Sequence, residues 1–285
     1  LHRQGAAKAE PILTKVIEML GGSWKIGWVS VAVLSFGAGV ISILFVKNKP
    51  SDLGQVPDGR SAPETTGCSG SARSTMRVYR TQYEWTSKQA LRSLSFWLIF
   101  LGAVGFIVPH MLCVVHGVVH FMDKGFPKAL AAASVGLLTL FSIFGRLAGG
   151  VLGDRIEPRF VWSGSLVVLL AGLFAVMGAT STVHIYLYAI LVGLGFGAAY
   201  VCMVTMIGNY FGATAFASIM GVFSPAIIIV GAVSPFLAGW VFDSLGSYNP
   251  AFIGAALLCA AGCVALLAAK PGQPVGSSAV SVPGR

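Results

Sequence analysis

The chain has 285 residues, of which 55% are hydrophobic and only 10% charged, with 36 glycines and a formal net charge of +9. A soluble domain carries about 25% charged residues, so this composition excludes an ordinary soluble enzyme and points to a membrane protein. The Lys and Arg excess falls between apolar runs rather than in a patch interleaved with aromatics, which argues for orientation in a bilayer and against nucleic acid as a partner.

Residues 1–23 lack the order of charged start, apolar centre and cleavage site that a secretory signal needs, and read as an extracytoplasmic lead-in. Crossing the hydrocarbon layer takes about 20 mostly apolar residues in a helix. Seven runs qualify: Trp24–Val46, Ser95–Val119, Ala129–Val151, Phe160–Thr180, His184–Ile207, Ala215–Val241 and Pro250–Ala269. Without water to satisfy backbone amides such runs must be helical, and none shows the alternation of a barrel strand. The expected fold class is therefore an all-α membrane protein with seven transmembrane helices.

Between the first two spans, residues 47–94 are rich in Pro, Gly, Ser and Thr. They are too polar to build a core and read as a flexible linker. Near their end, "EWTSKQALRSLSF" carries a helix start, with Thr86 or Ser87 as the cap and Lys88 and Arg92 four apart on one face. If this linker is cytoplasmic, its side also receives Arg146, Arg155, Arg159 and the 270–285 tail. That side then holds about twice the Lys and Arg of the other, as the positive-inside rule requires. A multi-pass protein of the cell (inner) membrane is expected, with linker and carboxyl terminus in the cytoplasm.

The second span carries three histidines in "PHMLCVVHGVVH". An ionisable residue at membrane depth is a functional-site hypothesis by default, and histidine titrates near neutral pH. His116 and His120 share a face, while His110 follows Pro109, where a freed carbonyl and a kink can shape a cavity. His116 first and His110 second are candidate substrate or proton contacts. The alternative for both is a neutral histidine bonded across helices, and for His120 an interfacial position.

At the third span's end stands "GRLAGGVLGDRIEPR", residues 145–159. Gly145, Gly149, Gly150 and Gly153 clear side chains from two helical turns, so a neighbouring helix can approach closely. Asp154 can accept from basic residues or from a helix N-terminus. Gly145, Arg146, Gly150, Asp154, Arg155 and Arg159 thus read as a conformational latch, the alternative being that Arg155 and Arg159 only anchor topology.

Further along, Tyr186 and Tyr188 near a membrane boundary fit an aromatic belt. "GLGFGAAY" follows no strand, so it is a helix-packing segment rather than a dinucleotide loop, with Tyr200 facing a cavity. Pro225 and Pro235 interrupt the sixth span, and Ser224 beside Pro225 is a candidate cavity-lining pair. Cys113, Cys202, Cys259 and Cys263 lie in apolar runs and form neither a disulfide framework nor a metal spacing. No metal and no cofactor are expected.

The 145–159 stretch resembles the loop signature of the major facilitator superfamily, roughly Gly-x-Leu-Ala-Asp-Arg-x-Gly-Arg-Lys, found between helices two and three and again between eight and nine. Gly150, Leu152, Asp154, Arg155 and Arg159 fit it, while Glu157 and Pro158 depart, which should weaken the basic cluster and stiffen the turn. "HGVVHFMDKGFPKALAAASVGL", "GLGFGAAYVCMVTMIGNYFGATAFASIMGVFSP" and "SPFLAGWVFDSLGSYNPAF" resemble later helix regions of bacterial facilitators. The nearest branch is that of oxalate/formate antiporters and monocarboxylate porters.

The resemblance implies that residues 24–46 are the last helix of an N-terminal half, 47–94 a cytoplasmic linker and 95–269 the C-terminal six-helix bundle, with five earlier helices missing. It implies a secondary active transporter, not an enzyme, that moves a small solute by alternating access, a monocarboxylate or other organic anion with a coupling proton. The latch would favour the state closed at the cytoplasmic side. Carboxylate carriers of this branch place an Arg or Lys in helix eight or eleven to pair with the anion, and here neither helix supplies one, the only arginine, Arg146, belonging to the latch. This counts against a dianion unless the counter-charge lies in the missing half. Implied partners are the lipid bilayer, the solute and the missing half. The alternatives are a non-transporting sensor or receptor that keeps the fold, and a rhodopsin-type receptor, for which the last span lacks a lysine.

Overall fold

A computed structural model describes residues 24–45 and 78–272, and every regular element among them is a helix. The expectations for 1–23, for 46–77 and for the tail beyond 272 lie outside the described residues. The chain divides into two units at residues 75 and 76. In the first, α1 (Trp24–Phe45) is apolar from Val29 to Phe45, shorter than a full span among the described residues.

The second unit holds α2 (Ser87–Arg92), α3 (Leu94–Asp123), α4 (Lys128–Gly153), α5 (Pro158–Met177), α6 (Thr182–Leu245) and α7 (Asn249–Ala268). Helices α3 to α7 are each long and apolar enough to cross a membrane. Two expected spans, His184–Ile207 and Ala215–Val241, are arms of the single 64-residue element α6, which breaks at Gly212. There φ is 78°, a left-handed value that glycine alone adopts without strain, so the chain reverses with almost no loop. Pro158 and Pro250 sit in the first turns of α5 and α7, where the missing N–H has no intrahelical partner to lose. Pro109, Pro225 and Pro235 lie inside α3 and α6 without ending them.

Glycines set the packing. On α4, a Cβ at Gly145 would overlap the Leu194 backbone of α6, and one at Gly149 would meet Ala198. In return Gly193 faces Leu138 and Gly197 faces Ser142, so α4 and the first arm of α6 touch backbone to backbone, the close approach that small residues allow in lipid. Gly150 and Gly153 have nothing near them, so the expected glycine face narrows to Gly145 and Gly149. Gly172 and Gly195 bring α5 onto the same arm, and Gly105 with Gly262 does so for α3 and α7. Cys202, Cys259 and Cys263 are packing residues whose thiols point at helix carbonyls.

Two expectations need correction. Residues 78–94, placed in the flexible linker, are packed onto the bundle: Trp85 is 4% exposed and stands edge-on to Phe211 at 5.2 Å, and the Thr81 N–H donates to the Asn209 carbonyl. The cause is composition, because Tyr79, Tyr83 and Trp85 supply apolar area that the preceding Pro/Ser/Gly run lacks. Thr86 caps α2 as expected, through a capping box with Gln89. Tyr188, assigned to an aromatic belt, is fully buried and donates to the Cys113 carbonyl, whereas Tyr186 is 48% exposed.

Candidate functional site

Three elements bring polar groups together within the bundle. From α3, the His110 ring stacks on Phe196 of α6 at 3.5 Å between centroids, nearly parallel. From α4, the Arg146 guanidinium lies 5.8 Å from both the Phe196 and the Tyr200 ring centroids. Phe196 and Tyr200 are four apart on α6 and so share a face. Arg146 also donates to Ser142 Oγ at 3.0 Å, and the Ser142 hydroxyl in turn donates to the Thr139 carbonyl. His110 Nδ1 is buried with no partner among the described residues.

Arg146 sits seven residues before the end of α4, about 10 Å along the axis at 1.5 Å per residue. Among the described residues neither Asp154 nor any other carboxylate pairs with it, so the expected Arg146–Asp154 partnership is absent and Arg146 belongs with His110. Arg146 is exposed on the face of the bundle that it shares with Tyr200. At membrane depth a guanidinium without an acid partner is costly, and an anion with planar acceptors would relieve that cost. The cation over two aromatic faces is already partly stabilised by their quadrupoles.

The other candidates fall elsewhere. His116 is held by the carbonyl of Pro235, 2.9 Å from Nε2, and its ring lies 4.9 Å from Tyr248. This ties α3 to the second arm of α6, so His116 and Pro235 form a cross-helix brace. His120, expected at an interface, is 4% exposed and meets the Val176 carbonyl. Ser224 makes no hydrogen bond among the described residues, and neither it nor Pro225 joins the His110 cluster. Pro109 is buried in α3 directly before His110.

The end of the bundle that carries the 145–159 stretch is built around a residue the sequence reading treated as a departure. Glu157 accepts from the Tyr79 N–H at 2.9 Å and the Tyr210 hydroxyl at 3.3 Å, and Tyr210 also lies 3.4 Å from the Ala269 carbonyl. Arg159 donates to that same carbonyl at 3.2 Å, and Ser95 Oγ to the Lys270 carbonyl at 2.6 Å. Asp154 and Arg155, by contrast, project outward with no side-chain partner among the described residues. Glu157 thus gathers the seam instead of weakening it. Phe196 was legible as the residue one turn before Tyr200, whereas no sequence pattern marks Tyr79 or Tyr210 as partners of Glu157.

A family model described as Major Facilitator Superfamily matches residues 11–224 and, in a second overlapping alignment, 123–282. No curated protein matches the chain.

Proposed function

The chain belongs to the major facilitator superfamily, a superfamily of transporters, and we propose on that premise that it forms part of a secondary active carrier of a small organic anion. The observation that carries this reading is Arg146: a guanidinium within a span, exposed on one face of the bundle beside Phe196, Tyr200 and His110 and unpaired with any described carboxylate. One cation suits one carboxylate, which favours a monocarboxylate over a dianion and agrees with the resemblance to monocarboxylate porters. His110, whose Nδ1 has no partner, is better placed than His116 to receive a coupling proton beside the anion.

The reading includes alternating access between two halves, as in other carriers of this kind. The carrier is completed by an N-terminal half of five further helices ahead of α1, with the solute held between halves. Closure at the end bearing Asp154 and Arg155 brings their outward charges against that half, and their latch role lies there. The linker and the Lys270 end are cytoplasmic in the inner membrane, following the Lys and Arg distribution. No observation favours the sensor alternative.

The deciding measurement is uptake by the complete carrier in proteoliposomes, using a panel of labelled short monocarboxylates, dicarboxylates and neutral solutes. A monocarboxylate should accumulate, and Arg146→Gln should abolish its uptake while Arg146→Lys retains part of it. Preferential uptake of a neutral solute, unaffected by Arg146→Gln, would overturn the anion reading. Failure of every solute to move, with ligand binding intact, would overturn the carrier.

A further inference from the structure

A second cavity lies away from the Arg146 cluster. It has a volume of about 500 Å³ and runs between α4 and α5, with Gly149 and Leu152 on one wall, Phe160, Gly164 and Val168 on the other, and Gly195 of α6 in its floor. This volume is within the roughly 300–1,000 Å³ usual for ligand sites. Its origin is the glycine packing: Gly145 and Gly149 draw α4 onto α6, and Gly172 and Gly195 draw α5 onto α6, but nothing draws α4 onto α5. A Cβ at Gly164 would have no neighbour within 4 Å.

The lining is almost wholly apolar. Its one hydroxyl, Ser165, is spent on the Trp162 carbonyl at 2.7 Å, so nothing in the cleft solicits a polar solute. Leu152, Ile156 and Phe160 at one end are 43%, 45% and 49% exposed, so the cleft opens sideways to the hydrocarbon.

That same end carries charge with bonding capacity to spare. Arg155, next to Ile156, makes no side-chain interaction among the described residues. Arg159 stands 4.7 Å from the Phe160 ring and gives Nη1 to the Ala269 carbonyl. Glu157, between them, is turned inward to Tyr79 and Tyr210, and Asp154 is the remaining acid there. Two guanidiniums, each next in sequence to a residue that lines the dry cleft, match a molecule with an anionic head at the interface and a hydrocarbon tail below it.

We propose that the α4–α5 cleft is a phospholipid site, holding one acyl chain over the glycine floor and the lipid phosphodiester on Arg155 and Arg159. The site does not rest on the anion reading, since Arg146 does not line it, but it shares Arg155 with the latch.

The test uses the complete carrier, purified and delipidated in detergent, titrated with phosphatidylglycerol and read by native mass spectrometry. One phospholipid should remain bound per chain. Arg155→Gln and Gly164→Leu should each lower its occupancy by about tenfold or more at fixed lipid, a loss of about 1.4 kcal/mol. Arg155→Gln removes no side-chain bond among the described residues and a Cβ at Gly164 meets no atom within 4 Å, and unaltered thermal unfolding checks that both variants fold. Wild-type retention in both variants overturns the proposal, as does loss with Arg155→Gln alone, which would mean an anion site without a chain. Displacement of the lipid by inorganic phosphate overturns it too, and displacement by a fatty alcohol as readily as by phosphatidylglycerol overturns the headgroup assignment.

Discussion

At one end of the bundle the Glu157 carboxylate collects donors from Tyr79 and Tyr210, while at the other Lys124 and His120 donate to carbonyls in or just after the last turn of α5. Among the described residues neither end has an ion pair and both rely mostly on side chain to backbone bonds, but they differ in reach. The Glu157 end joins residues 78 and 53 apart to a seam that also ties Arg159 to Ala269 and Ser95 to Lys270, 110 and 175 apart. The Lys124 end spans 53 to 56 residues between neighbouring elements and puts a cation where a helix C-terminus carries its negative pole. The first end therefore depends on where residues 78–94 and the last helix lie, and the second is self-contained.

Substitutions can separate the two. Trp85→Ala should have the largest effect, about 3–5 kcal/mol off the stability of the solubilised protein in urea unfolding, because it removes a buried aromatic that fastens the 78–94 segment to Phe211. Glu157→Ala should cost about 1–3 kcal/mol by stranding the Tyr79 N–H and leaving the Tyr210 hydroxyl only the Ala269 carbonyl, and should expose residues 78–85 to limited proteolysis. Glu157→Gln keeps an acceptor and should lose less than half of that; equal losses would show that charge, not hydrogen bonding, holds this end.

At the opposite end His120→Phe should cost about 1 kcal/mol, the net worth of one hydrogen bond, with no change in proteolysis at 78–85. Lys124→Met should cost least, under about 1 kcal/mol, since its ammonium is largely exposed and acts on a helix terminus. Cleavage at 78–85 in either variant would show that the ends are coupled.

Much of this architecture is legible in the chain. Span positions follow from the length of apolar runs, and the Thr86 cap from a polar residue three before Gln89. The glycines of 145–153 announce close packing, but which of them meet a neighbour depends on rotation about α4, and Gly149 does while Gly150 does not. Arg146 is visible as a charge within a span; its grouping with Asp154 rested on distance along one helix, whereas its companions come from α3 and α6. Glu157 looked like a lapse from a motif because its partners, Tyr79 and Tyr210, are aromatic residues with no local sign of their role. Tyr188 likewise reads as a surface aromatic until the Cys113 carbonyl is seen opposite its hydroxyl.

The contacts of Glu157 have a topological consequence. One carboxylate touches the backbone of residue 79 and a tyrosine that reaches residue 269, so the strand of chain leading into the six spans and the one leading out of them end up side by side. A unit whose two ends coincide is nearly a closed loop. Its order can be rewritten by joining those ends through a short peptide and cutting at the tight turn of Gly125 or of Gly246, each an exposed positive-φ glycine, and the rearranged chain would keep every helix contact described above.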